Sequence, residues 1–133
     1  MHPYYKLGKS KPEHDLRNLL FASFLKDKVS VPLSYDADAK LKPSPPIPMF
    51  ANDRLGDCVI AARAHQTLRF ERLETGGYPV ITEQQVTSEY FKQTGGEDTG
   101  LAILDSLRLW RTEGWKAGKQ TLKIASFMQI NYT

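Results

Sequence analysis

Thiol and imidazole chemistry is scarce in this 133-residue chain, which holds one cysteine, Cys58, and three histidines, His2, His14 and His65. A single thiol excludes an internal disulfide. None of the four falls at the short ligand spacings of a zinc site, so no metal is expected, and no motif calls for a cofactor. No run approaches the roughly 18 apolar residues of a membrane span. No charged segment followed by an apolar stretch and a small-residue cleavage site opens the chain. A reducing cytoplasm is therefore the expected compartment, with no membrane attachment. Repeats and low-complexity tracts are absent, and the net charge is only +3. That excess sits in residues 1–30, which carry six Lys and Arg against three Asp and Glu. Lys6, Lys9 and Lys11 lack the interleaved stacking aromatics of a nucleic-acid surface, so nucleic acid is not the expected partner.

What is present suits one folded domain, since 41% of residues are apolar and 25% charged, close to the soluble average. Residues 1–30 read as a basic extension in which Leu16, Leu19, Leu20, Phe21, Phe24 and Leu25 predict a short amphipathic helix. Pro32, Pro43, Pro45, Pro46 and Pro48 make residues 31–48 an extended connector. Val59, Ala61, Ala62, Leu68 and Phe70 predict a helix from Asp57 to about Glu74, with Arg63, Arg69 and Arg72 on its wet side. Thr82 and Gln85 form a capping-box pattern opening a second helix through Phe91, ended by Gly95 and Gly96. Asp98 or Thr99 is positioned to cap a third helix carrying Leu101, Leu104, Leu107 and Trp110, with Gly114 near its end. Alternation of Leu122, Ile124, Met128 and Ile130 predicts a strand over residues 121–131. Its ladder needs a partner, either the connector near Pro32 to Tyr35 or a second protein chain.

Cys58 follows Ala51-Asn-Asp-Arg-Leu-Gly-Asp57 directly and falls in the first turn of the predicted helix. Unpaired N–H groups and the positive end of the helix dipole stabilise a thiolate there. Asp57 either opposes that charge or is spent as the helix cap. On spacing alone a lone cysteine is more often a small buried hydrophobe.

Four stretches in register shift that balance. Val31-Pro-Leu-Ser-Tyr-Asp36 resembles the proline-led start of the mature domain of papain-like cysteine peptidases, particularly the bacterial members. Asn52-Asp-Arg-Leu-Gly-Asp-Cys58 resembles their stretch of Gln, five residues and nucleophilic Cys. Ile81-Thr-Glu-Gln-Gln-Val86 is similar to the opening of their second helix, and Gly95-Gly-Glu-Asp-Thr-Gly-Leu101 with Gly114-Trp115 to their Gly-rich turn, helix and following Gly. His14-Asp-Leu-Arg17 resembles a stretch common ahead of the domain in bacterial relatives.

The resemblance implies an α+β, mostly helical fold: the helical lobe of the papain-like domain over residues 31–133, with the C-terminal β-rich lobe and its catalytic His and Asn outside the sequence. Cys58 is then the nucleophile, Asn52 an oxyanion-hole donor one methylene shorter than the family's Gln, and Gly95 and Gly96 line a peptide cleft. Leu55 stands where many members have a further cysteine. His65, seven residues along the same helix, is about 10 Å from Cys58 at 1.5 Å rise per residue, too far to act as its base. Two functions are expected to compete. One is a peptidase domain acting on a peptide substrate once a histidine-bearing half completes it, and inactive alone. The other is a non-catalytic scaffold of a larger homo- or hetero-oligomeric assembly.

Overall fold

A computed structural model describes residues 8–11, 14–25, 30 and 32–130. His2, Lys6, Val31 and the far end of the expected strand lie outside the described residues.

The longest helix, α1 (Cys58–Thr75), ends at Gly76, whose φ of 79° gives the left-handed cap and whose N–H bonds Arg72 O. Its buried side holds Ile60, Ala61, Ala64, Thr67 and Leu68, recurring at spacings of three and four as a packed helical face requires. That face is rotated from the expected one. Ala62 and Phe70 are exposed, whereas Arg63, expected wet, is only 3% exposed. Its guanidinium is satisfied inside: it donates to Glu89 Oε1 at 3.3 Å, to Ser106 O at 2.6 Å and to Ser106 Oγ. It also lies 5.3 Å from the centroid of the Trp110 ring. Burial lowers its proton affinity to about 10, leaving it charged at neutral pH. Periodicity cannot foresee a buried cation whose partners come from two other helices.

Helix α2 (Glu83–Thr94) begins with both halves of the expected capping box: Thr82 Oγ1 accepts from Gln85 N, and Gln85 Oε1 accepts from Thr82 N at 3.1 Å. Gly95, with φ 72°, ends it. Helix α3 (Ile103–Thr112) follows Ala102, which offers no side-chain cap. Asp98 was expected there and is used elsewhere. A two-stranded antiparallel sheet completes the α+β, mostly helical fold: β1 (Trp115–Ala117) pairs β2 (Gln120–Leu122) in the register Trp115 to Leu122. Gly118 turns the hairpin with φ 64°. Helix α1 packs on α2 and α3, and β1 on α2. Phe50, Ile60, Leu68, Val86, Tyr90 and Trp115 fill the space between them.

Two expectations fail for a common reason. Residues 16–25 form only one 3₁₀ turn, Phe21–Phe24, and Leu16 is 90% exposed. A short helix without a face to pack on is unstable in water, and here the backbone bonds sideways instead. Phe21 N donates to Gln129 O at 3.0 Å and Gln129 N to Leu19 O at 2.8 Å. The segment after Leu122 thus finds its partner in the N-terminal extension and β2 in β1, neither in residues 32–35. Asp15 anchors the extension, taking Arg17 Nε at 2.9 Å and pairing with Arg108 of α3. These two cations hold its carboxyl far below the usual range.

The connector is extended as expected apart from a 3₁₀ turn at Asp38–Lys40, and α1 and the loop after it grip it along its length. Arg69 Nε donates to Asp38 Oδ1 at 2.8 Å, Arg72 reaches Lys42 O, and Tyr78 Oη donates to Pro43 O at 2.7 Å. Among the described residues no helix is long and apolar enough to cross a membrane.

Two substitutions rank these features. Thr82→Ala removes one half of the capping box and should cost about 1 kcal/mol, while Trp115→Ala empties a site that is 2% exposed and should cost about 3–5 kcal/mol. Urea unfolding of the two variants against the parent measures both.

Candidate functional site at Cys58

Cys58 is the first residue of α1. Its N–H therefore has no acceptor within the helix and points outward with the other first-turn donors. The thiol is half-buried and stands between two open hollows. One, of about 270 Å³, is lined by Ile47, Pro48, Met49, Asn52 and His65 beside Cys58. The other, of about 350 Å³, is lined by Lys9, Arg63, Ser106, Leu107 and Trp110. The structure thus brings Asn52 and Cys58, six residues apart, to one surface.

A tight turn makes that possible. Phe50 and Ala51 both take left-handed backbone, at φ 54° and 68°, although neither is glycine and both are buried. Ala51 O accepts from Arg54 N at 2.8 Å and from Leu55 N at 2.9 Å, closing the loop. Two consecutive left-handed residues with side chains cost roughly 1–3 kcal/mol each, so packing must impose them. Phe50 is the anchor, its ring edge-on to His65 at 5.3 Å.

His65 shares the hollow but is already engaged. Its Nε2 is 2.9 Å from Pro48 O, and the helix rise sets it about 10 Å along the axis from Cys58. It braces the connector against α1. His14 is exposed and lines neither hollow.

Asp57 does not cap the helix, having no side-chain cap bond. Its carboxylate is 0% exposed, and no other described residue hydrogen-bonds either oxygen, the residue's own backbone N–H being the one group that favours its ionised form. Burial pushes its pKa up to about 6, assisted by the charges of Asp98, Glu83 and Asp53.

Gly95 and Gly96 stand at the C-terminus of α2, where an added Cβ would meet open space, and they line neither hollow. A close approach of backbone to backbone within the chain lies at Gly100, against Gly8. Asp98 Oδ1 accepts from Gly56 N at 2.8 Å and from Tyr90 Oη at 2.8 Å, and Tyr90 Oη accepts from Gly100 N at 2.9 Å. Desolvation and the Asp98 bond raise the Tyr90 phenol to about 12, so it stays a donor.

Onto this frame residues 8–11 are laid as an extended strap. Leu101 N donates to Gly8 O at 2.7 Å, Ser10 N donates to Leu101 O at 3.0 Å, and Lys9 forms a parallel bridge with Leu101. A Cβ on Gly8 would overlap Gly56 O, and one on Gly100, where φ is +77°, would overlap Gly8 O. Only glycine fits either place. The strap and the Tyr90 and Asp98 tie were not read from the sequence. The one local signal was a glycine two residues after an acidic residue, Asp98-Thr-Gly100.

Comparison of the chain with protein-family models, curated proteins and solved structures gave no match.

Gly100→Ala should lift the strap while leaving the core folded. The check is limited trypsin digestion. Cleavage after Lys9 should accelerate severalfold in the variant, and an unchanged rate would mean that the close contact does not hold the segment.

Proposed function

We propose that this chain provides the helical lobe of a papain-like cysteine peptidase domain, with Cys58 as nucleophile and hydrolysis of peptide bonds as the reaction, completed by a histidine-bearing half. The observation that supports it best is the joint placement of Cys58, at the first position of α1, and Asn52 on one hollow behind a strained turn.

Chemistry at such a site follows from its donors. A thiolate at Cys58 attacks the peptide carbonyl carbon, a C–S bond forms, and the carbonyl π pair moves onto oxygen. The Cys58 N–H, free of an intrahelical acceptor, and the Asn52 amide are the groups available to that oxyanion. Collapse breaks the C–N bond, and the departing amine takes the proton that the imidazole removed from the thiol. Water then hydrolyses the thioester. No described histidine is placed to supply the imidazole, because His65 is tied to Pro48 O and His14 lines neither hollow. The chain by itself is therefore read as inactive.

A second reading, a non-catalytic scaffold within a larger assembly, draws on one observation. Apolar side chains stand exposed around one end of α1, Leu73 at 68% and Val80 at 79%. Such exposure suits a face covered by another protein, and a histidine-bearing half is one such cover. A neighbouring chain was also expected to pair with residues 121–131. That role has less support, since β2 and Gln129 already have partners within the chain.

Variants of the completed assembly separate the readings. Cys58→Ala should lower peptide hydrolysis at least about 10³-fold, and Asn52→Ala by about 10²–10³-fold in kcat. Full activity in Cys58→Ala would end the peptidase reading and leave the scaffold.

A further inference from the structure

Asp57 has no part in the chemistry above, yet its carboxyl is sealed from water, and the donor that favours its ionised form is the residue's own backbone N–H, with no hydrogen bond from any other described residue. Burial of this kind favours the neutral form over the ionised one. The groups around it make ionisation harder. Asp53 approaches from the preceding loop, Glu83 from the first turn of α2 and Asp98 from the loop after it, while the Tyr90 phenol of α2 is committed to Asp98. Glu83 is paired with Arg54 of the preceding loop at 2.5 Å. Lys9 on the strap is exposed and lines the hollow of Cys58.

We propose that Asp57 operates a proton-controlled latch: neutral, it allows Gly56, Asp98, Tyr90 and Gly100 to close on the strap of residues 8–11, and ionised, it drives the strap off.

The route is short. Gly56, directly before Asp57, is bound to Asp98 and lies under Gly8. Asp98 holds Tyr90, Tyr90 holds Gly100, and Gly100 with Leu101 holds the strap. Two backbone hydrogen bonds fix the strap to Leu101, whereas α1 and α2 are locked into the core. When Asp57 ionises, water must reach it, and lifting the strap exposes Gly56 without disturbing a helix. The sign follows from a folded pKa raised above the ordinary 3.8 to about 6. The closed form is favoured at acid pH, and that preference is lost as pH rises through about 6. The contacts that form the latch do not depend on the peptidase-like reading. Its consequence, that access to the hollow of Cys58 opens toward neutral pH, rests on the peptidase-like reading.

Amide hydrogen exchange on the full chain, corrected for intrinsic rates, tests the latch. Between pH 5 and pH 7.5 the protection of Ser10 and Leu101 should fall about tenfold, with the amide of Leu68 in α1 unaffected. In Asp57→Asn the protection should stay at its acid level throughout. A flat profile in the parent protein overturns the proposal, even if the variant does not fold. So does loss of protection at Leu68 in step with the strap, or survival of the pH dependence in Asp57→Asn. The peptidase reading is tested separately by electrophile labelling of Cys58. A working strap beside an inert thiol would sink that reading and leave the latch standing.

Discussion

One carboxylate oxygen fixes the neighbourhood of the thiol. Asp98 Oδ1 accepts from Gly56 N and from Tyr90 Oη, each at 2.8 Å. Those two bonds fasten the loop before α1 to α2 and to the turn that follows it. The start of α1 is held besides by its own first-turn bonds, Ile60 N and Ala61 N to Asp57 O, by the Arg54 and Glu83 pair and by the packing of Phe50 and Ile60 in the core. Tyr90 is fully buried and Asp98 half-buried, so the tie is partly shielded from water, and shielding raises both the worth of a satisfied network and the cost of a broken one. The hollows at Cys58, the strap over Gly100 and the isolation of Asp57 all follow from where this tie places the chain.

A second constraint acts from the other side. The connector has almost no regular structure, yet it reaches the hollow in one place because α1 presents Arg69, Arg72 and His65 along one side to receive it. Prolines remove donors that would otherwise need partners, and the connector carbonyls of Lys42, Pro43 and Pro48 are taken by Arg72, Tyr78 and His65. Asn52 is delivered beside Cys58 at the end of this run. The left-handed pair Phe50 and Ala51 is the bend that lets it happen.

Local signals carried most of the regular structure into view. The Thr82 and Gln85 box, the glycines at 76 and 95 and the periodic apolar positions place α1, α2 and α3 within a few residues. What escaped depends on contacts distant in sequence. Arg63 reads as a wet residue because its partners, Glu89 and Ser106, are 26 and 43 positions away. Asp98 reads as a cap because nothing local says that Gly56 and Tyr90 compete for it. The apolar run at 16–25 has a helical period but no face to pack against. At the site, the thiol at the first turn of α1 was legible from sequence. The close packing of Gly100 on Gly8 was not, because a positive φ alone does not tell a helix terminator from a contact point.

The central claim is that Cys58 becomes a peptide-directed nucleophile when a histidine-bearing half is joined to this lobe. A peptide carrying a thiol-reactive electrophile, applied to the protein from its native source and followed by mass mapping, tests it most directly. The account predicts stoichiometric modification at Cys58 in the assembled protein and none in the isolated 133-residue chain under the same conditions. An assembled protein whose Cys58 stays unmodified while a small alkylating agent reaches it freely would contradict the claim.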